Sequence, residues 1–244
     1  MKSNFKKFFN IFSLVMVAIS LPLSVYILKN GNLDFTIEAF LNDEPQNVVI
    51  SDIKASSFKV SWYTDRPVTG LLRLNNSLEP ISETQDTKFH EIVVAYLDPS
   101  AGYQFQLLSN GTLFDNTYFV TTFSSDRVES AHYVYGQVFS EDGVTAQKGG
   151  IVYLTLQSDR DSQELAAIIN ETGGFLFNLA DLKDNNGNAF DHFGDLDVII
   201  RVYTSYDKEI VEKRFTLNLS TQRQIPNIYL ADPGLDIIPG IAGE

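Results

Sequence analysis

From Gly31 onward, apolar residues recur at every second position in short runs, and Gly, Pro, Asn or Asp interrupts them repeatedly. A period of two sends one face of a strand inward and the other outward, so this pattern predicts an all-β chain folded as sandwiches. The clearest alternation is Phe58, Val60, Trp62, with Ser57, Lys59, Ser61 and Tyr63 on the opposite face. After a turn at Asp65-Arg66-Pro67, Gly70, Leu72 and Leu74 begin another strand, and Ile92-Val93-Val94 supply a further one. Gln104 and Gln106 alternate with Tyr103, Phe105 and Leu107. Asn110-Gly111 then reads as a hairpin turn, because both residues accept a positive φ, and Tyr118 to Phe123 forms the return strand.

The second half repeats the pattern with different spacing. Two alternating strands flank Glu141-Asp142-Gly143 between Tyr133 and Leu156. Strand-like runs follow at 170–182, 196–206, 208–219 and 225–230, while Asp161–Asn170 fits either a helical turn or part of a strand. Ser124-Ser125-Asp126-Arg127 reads as a short linker. The expected organisation is a cytoplasmic stub and membrane segment (1–30), a linker or extra strand (31–45), a first sandwich (46–124), a linker (125–131), a second sandwich (132–230) and a tail (231–244) rich in Pro and Gly.

The N-terminus has a separate pattern. Lys2, Lys6 and Lys7 precede an uncharged run from Phe8 to Leu28. At a helical rise of ~1.5 Å per residue, that run reaches about 31 Å, enough to cross a hydrocarbon core. Three lysines before the run and Lys29 after it predict a cytoplasmic N-terminus, with everything downstream outside the cell membrane. A cleaved signal peptide ending at Ala18-Ile19-Ser20 is the rival reading, and it exports the same residues.

Within 46–124, Trp62 on its strand and Leu97-x-Pro99-x-x-x-Tyr103 fall in an order and spacing that resemble a fibronectin type III domain. The resemblance implies a buried tryptophan and a tyrosine corner, in which the Tyr103 hydroxyl bonds back to the main chain. Across 132–230, Gly136-Gln137-Val138, Asp142-Gly143, Val152-Tyr153-Leu154 and Thr172-Gly173-Gly174-Phe175 resemble the carboxypeptidase-regulatory-like, or transthyretin-like, sandwich. One departure is Ala146-Gln147-Lys148-Gly149-Gly150, where that family usually places alanine-proline. The whole order of segments resembles bacterial surface proteins. It implies structural, adhesive or accessory modules rather than enzymes.

Charge and chemistry narrow the function classes. Beyond residue 30 the chain carries 14 cations against 31 acids, a net of −17, which disfavours nucleic acid and anionic lipid as partners. With no cysteine, disulfides, thiolate metal ligation and thiol catalysis are excluded. His90-Glu91 starts like a zinc-protease helix, but Val94 stands where the second histidine belongs. No catalytic residue, cofactor site or firm metal site emerges. The one metal-like segment is Asp184, Asn186, Asn188 and Asp191, whose oxygens could wrap Ca²⁺, although the same residue types build ordinary loops. Four N-glycosylation acceptors begin at Asn75, Asn110, Asn170 and Asn218. The expected protein is a membrane-anchored structural or adhesive surface protein, its partners protein or polysaccharide. A glycan-binding accessory module is the alternative, with Tyr63, Tyr96, Tyr203 and Tyr206 as candidates for an aromatic row.

Overall fold

The computed structural model describes residues 42–75, 77–125, 131–157, 162–190, 195–204, 211–218 and 223–230. The proposed membrane segment, the tail and most of the 125–131 linker lie outside these residues. No helix among the described residues is long and apolar enough to cross a membrane. All the named strands lie in one compact unit that begins at Asn42.

The first sandwich sets three strands against four. β1 (Gln46–Ser51), β2 (Ser57–Val68) and β5 (Thr87–Ala95) form one sheet in the order β1-β2-β5. β3 (Gly70–Leu74), β4 (Ile81–Ser82), β6 (Gly102–Ser109) and β7 (Thr112–Thr121) form the other, ordered β4-β3-β6-β7. All pairings are antiparallel. The alternation works as its period requires: Phe58, Val60 and Trp62 point into a core shared with Leu72, Phe105 and Leu107. The β6–β7 hairpin closes at Asn110-Gly111, with φ of 49° and 80°, the mirror-image turn geometry that matches strand twist. The main-chain N–H of Asp98 donates to the Tyr103 hydroxyl at 2.7 Å, so the tyrosine corner is formed. This sandwich is fibronectin type III-like.

In the second sandwich, β8 (Tyr133–Phe139), β11 (Gly174–Asn178) and β14 (Ile228–Tyr229) make a sheet ordered β11-β8-β14, whose β14–β8 pair is parallel. The facing sheet, ordered β10-β9-β12-β13, comprises β9 (Ile151–Leu156), β10 (Leu165–Ile168), β12 (Asp195–Tyr203) and β13 (Val211–Asn218). Val134, Val152, Leu154, Phe177 and Val198 lie at the centre of its core. The ambiguous 161–170 stretch resolves into the edge strand β10. At the predicted turn, the Asp142 carboxylate accepts the N–H groups of Val144 and Thr145, while Gly143 supplies a φ of 68°.

A third apolar cluster lies between the sandwiches: Ile151, Tyr153 and Ala166 pack with Val49, Phe89, Ile168 and Tyr203. The outer face of β1-β2-β5 therefore meets the outer face of β10-β9-β12-β13. Four sheets stack in layers, with two cores inside the sandwiches and one between them.

Candidate functional site

The joint is built from residues that alternation assigns to an outward face. Ser61 on β2 is fully buried, and its hydroxyl meets that of Tyr153 on β9 at 2.9 Å. Tyr63, two residues on, is also buried and tilts against Phe89 at 5.4 Å between ring centroids. Tyr203 meets Tyr153 edge-on at 5.5 Å. The gap left among Asn47, Tyr63, Phe89, Ile151, Tyr153 and Tyr203 amounts to about 10 Å³, room for about one water. Burial pushes the Tyr153 phenol up to about 12, with Tyr203 and Glu91 adding to the rise while the Ser61 hydrogen bond and Arg201 oppose it.

Beside this apolar patch runs a polar seam. β10 is an edge strand of its sheet, and an uncovered edge exposes main-chain donors and acceptors. Here the first sandwich satisfies them. The Ala166 N–H donates to the Asp52 carboxylate at 3.0 Å, and the Lys59 ammonium donates to the Ala166 carbonyl at 2.7 Å. The Asp52 N–H donates to the Glu164 carbonyl at 3.0 Å. Gln163 completes the seam by accepting the Ile53 N–H at 2.7 Å and donating back to the Ile53 carbonyl at 3.3 Å. Lys59 also lies 3.5 Å from Asp52 and 3.3 Å from Glu91. Desolvation is the main cause raising the Glu91 carboxyl above its ordinary range, and Lys59 partly offsets it. Asp52 holds its turn with a φ of 49°, a conformation that aspartate tolerates better than most residues. Lys54 reaches Asp181 at 2.8 Å.

The calcium-like loop belongs to this joint. Asp184 is buried, and its carboxylate accepts the N–H groups of Asn186 (2.9 Å) and Asn188 (2.8 Å) and the Asn188 side-chain amide (3.0 Å). Asn186 and Asn188 thus present nitrogen donors to Asp184. Asp191 and His192 lie outside the described residues. Gly187, at φ 84°, sits so close to Phe123 of the first sandwich that a Cβ would come within 2.7 Å of the ring. The loop is shaped by packing across the joint. No group of three His, Cys, Asp or Glu side chains able to hold a metal occurs among the described residues.

The aromatic row expected for glycan binding does not form among the described residues. Tyr63 and Tyr203 line the joint because each lies on a sheet face that the other sandwich covers. Tyr96 is fully exposed, on a residue with φ of 61°, and Tyr206 lies outside the described residues.

A second polar cluster escaped the sequence reading. His90, fully buried, stacks on Trp62 with centroids 4.7 Å apart. Its Nδ1 lies 2.6 Å from Glu83 Oε2, and its Nε2 lies 2.9 Å from the Thr64 hydroxyl. Hydroxyl, imidazole and carboxylate stand in the order of a nucleophile triad. However, the buried Thr64 hydroxyl donates to the Arg66 carbonyl at 2.8 Å, and Glu83 also accepts the N–H groups of Gly70 and Glu91. The cluster clamps β4's end to β2, β3 and β5. Sequence gave one hint of it, the polar His90 inside an apolar strand, but its partners come from elsewhere in the chain.

No family model matches the chain. No curated protein matches it either. Among solved structures, it is similar to the FN1–FN3 domains of chicken CNTN1 (10% identity, 76% of this chain and 67% of that one, TM-score 0.25). A central fibronectin-III array of RIM-binding protein gives 17% identity, 71% and 62% coverage and a TM-score of 0.27. BcpA, the major pilin subunit of Bacillus cereus, gives 11%, 76% and 69%, and 0.25. Likenesses this loose carry no argument about function.

Proposed function

We propose that this chain is a membrane-anchored, extracytoplasmic structural or adhesive surface protein whose two sandwiches act as one rigid body. The joint carries the reading. An apolar cluster with a gap of only about 10 Å³, flanked by a continuous polar seam, holds a fixed geometry rather than forming or turning over a substrate. The second sandwich is of the carboxypeptidase-regulatory-like kind, judged from its Gly136-Gln137-Val138 and Asp142-Gly143 segments. The anchor is the uncharged run from Phe8 to Leu28, with its lysine asymmetry facing the cytoplasm. The His90 clamp and the Asp184 loop serve the fold rather than chemistry.

Membrane fractionation of the full-length protein, with intact-mass analysis of its N-terminus, tests this. Protein in the membrane pellet that begins near Met1 is the expected result. A soluble product beginning at Leu21 would overturn the anchor.

A further inference from the structure

The outer face of β3-β6-β7, remote from the joint, carries a depression of about 330 Å³. That volume falls at the small end of the range for ligand sites. Phe119 on β7 lines it, 71% exposed, standing directly across the ladder from Gln104 on β6. Asn75, Gly102 and Thr121 line it as well. Asn75 is pinned in place. Its N–H donates to the Gln104 carbonyl at 2.8 Å, its side-chain oxygen accepts the Gln104 N–H at 3.0 Å, and its φ is 46°. Gly102 shares a face with Gln104, and a Cβ there would meet nothing within 4 Å, so the missing side chain leaves the depression open. The neighbouring pair, Arg73 and Gln106, is joined by a hydrogen bond of 2.5 Å.

We propose that this depression binds a neutral oligosaccharide. A sugar ring offers an apolar C–H face and a rim of hydroxyls. The groove offers one exposed aromatic ring beside two amides and a threonine. No residue lining the groove is ionised at neutral pH, and the neighbouring cation, Arg73, is engaged by Gln106. The chain's net charge of −13 further disfavours an anionic glycan. An amphipathic helix would need several apolar anchors, and the groove presents Phe119 as its exposed apolar side chain. Main-chain and side-chain bonds already fix Asn75, so little ordering cost remains on binding.

This proposal does not depend on the membrane anchor, and either can fail alone. The test titrates the full chain, in detergent, with soluble cello-, xylo-, manno- and chito-hexaose and with polygalacturonate, read by calorimetry. The expected result is binding of at least one neutral hexaose with a dissociation constant of about 1 mM or tighter. Phe119→Ala should weaken it by about tenfold or more. Gly102→Leu, which fills the groove where the backbone allows any residue, should abolish it. Tyr135→Ala, on the exposed face of β8, should leave it unchanged. Unaltered denaturation midpoints would show that the variants are folded. The proposal is overturned if no neutral hexaose binds, if only polygalacturonate binds, or if Phe119→Ala and Gly102→Leu bind like the parent. It is equally overturned if Phe119→Ala changes only self-association in sedimentation.

Discussion

Tyr153 and Ser61 allow the joint to be perturbed one atom at a time. Their hydroxyls are 2.9 Å apart, Ser61 is fully buried and Tyr153 nearly so. Tyr153→Phe leaves the Ser61 hydroxyl buried without that partner, and Ser61→Ala does the same to the phenol. Each single change should cost about 1–3 kcal/mol, the desolvation penalty of an orphaned polar group. The double variant removes both groups together and should cost less than the sum of the singles. The coupling expected from a double-mutant cycle is about 1–2 kcal/mol. Urea unfolding monitored by circular dichroism provides the free energies. Alkaline pH supplies a second readout. The Tyr153 phenol is raised from 10 to about 12, so the folded state keeps its proton after the unfolded chain has lost it. Its contribution is therefore complete below pH 10 and declines as pH rises towards 12, by about 3 kcal/mol at most. Tyr153→Phe should flatten that limb. Additive single costs, or an alkaline limb unchanged in Tyr153→Phe, would refute the reasoning that this contact joins the sandwiches.

Three other outcomes are expected. Trp62→Ala should cost about 3–5 kcal/mol in denaturant unfolding, because it removes a fully buried ring from the core; an unchanged midpoint would contradict the buried-tryptophan assignment. Gly70→Ala should destabilise by about 1–3 kcal/mol in the same assay, since a Cβ there would come within 2.6 Å of Glu83, His90 and Trp62. Glu91→Gln should alter the pH dependence of thermal unfolding. A raised carboxyl pKa means the folded state holds its proton as pH climbs above 4.5, so the native protein loses stability from this group over that rise. The variant should lack that loss, and an identical pH profile would show that Glu91 is not desolvated.

What the sequence determined by itself was local. The inward row of Phe58, Val60 and Trp62 follows from a period of two. The Asn110-Gly111 hairpin follows from two residues that accept positive φ, and the Asp142-Gly143 turn from a carboxylate that caps its own backbone. The tyrosine corner joins Asp98 and Tyr103, a separation of five along the chain. Each of these is set by interactions along a few neighbouring residues, which is why the pattern along the chain revealed them.

Tertiary structure decided which outward faces stay outward. Alternation places Ser61 and Tyr63 opposite Trp62, but it cannot say whether water or another sheet lies there. Ser61 finds Tyr153 92 residues away, and Ala166 finds Asp52 114 residues away. Contacts across such separations leave no periodic trace. The same reason seated Gly187 against Phe123 and made two candidate glycan-binding tyrosines parts of a joint. It also left Phe119, one apolar residue in an edge strand, exposed beside a groove that only the folded β3-β6-β7 face creates.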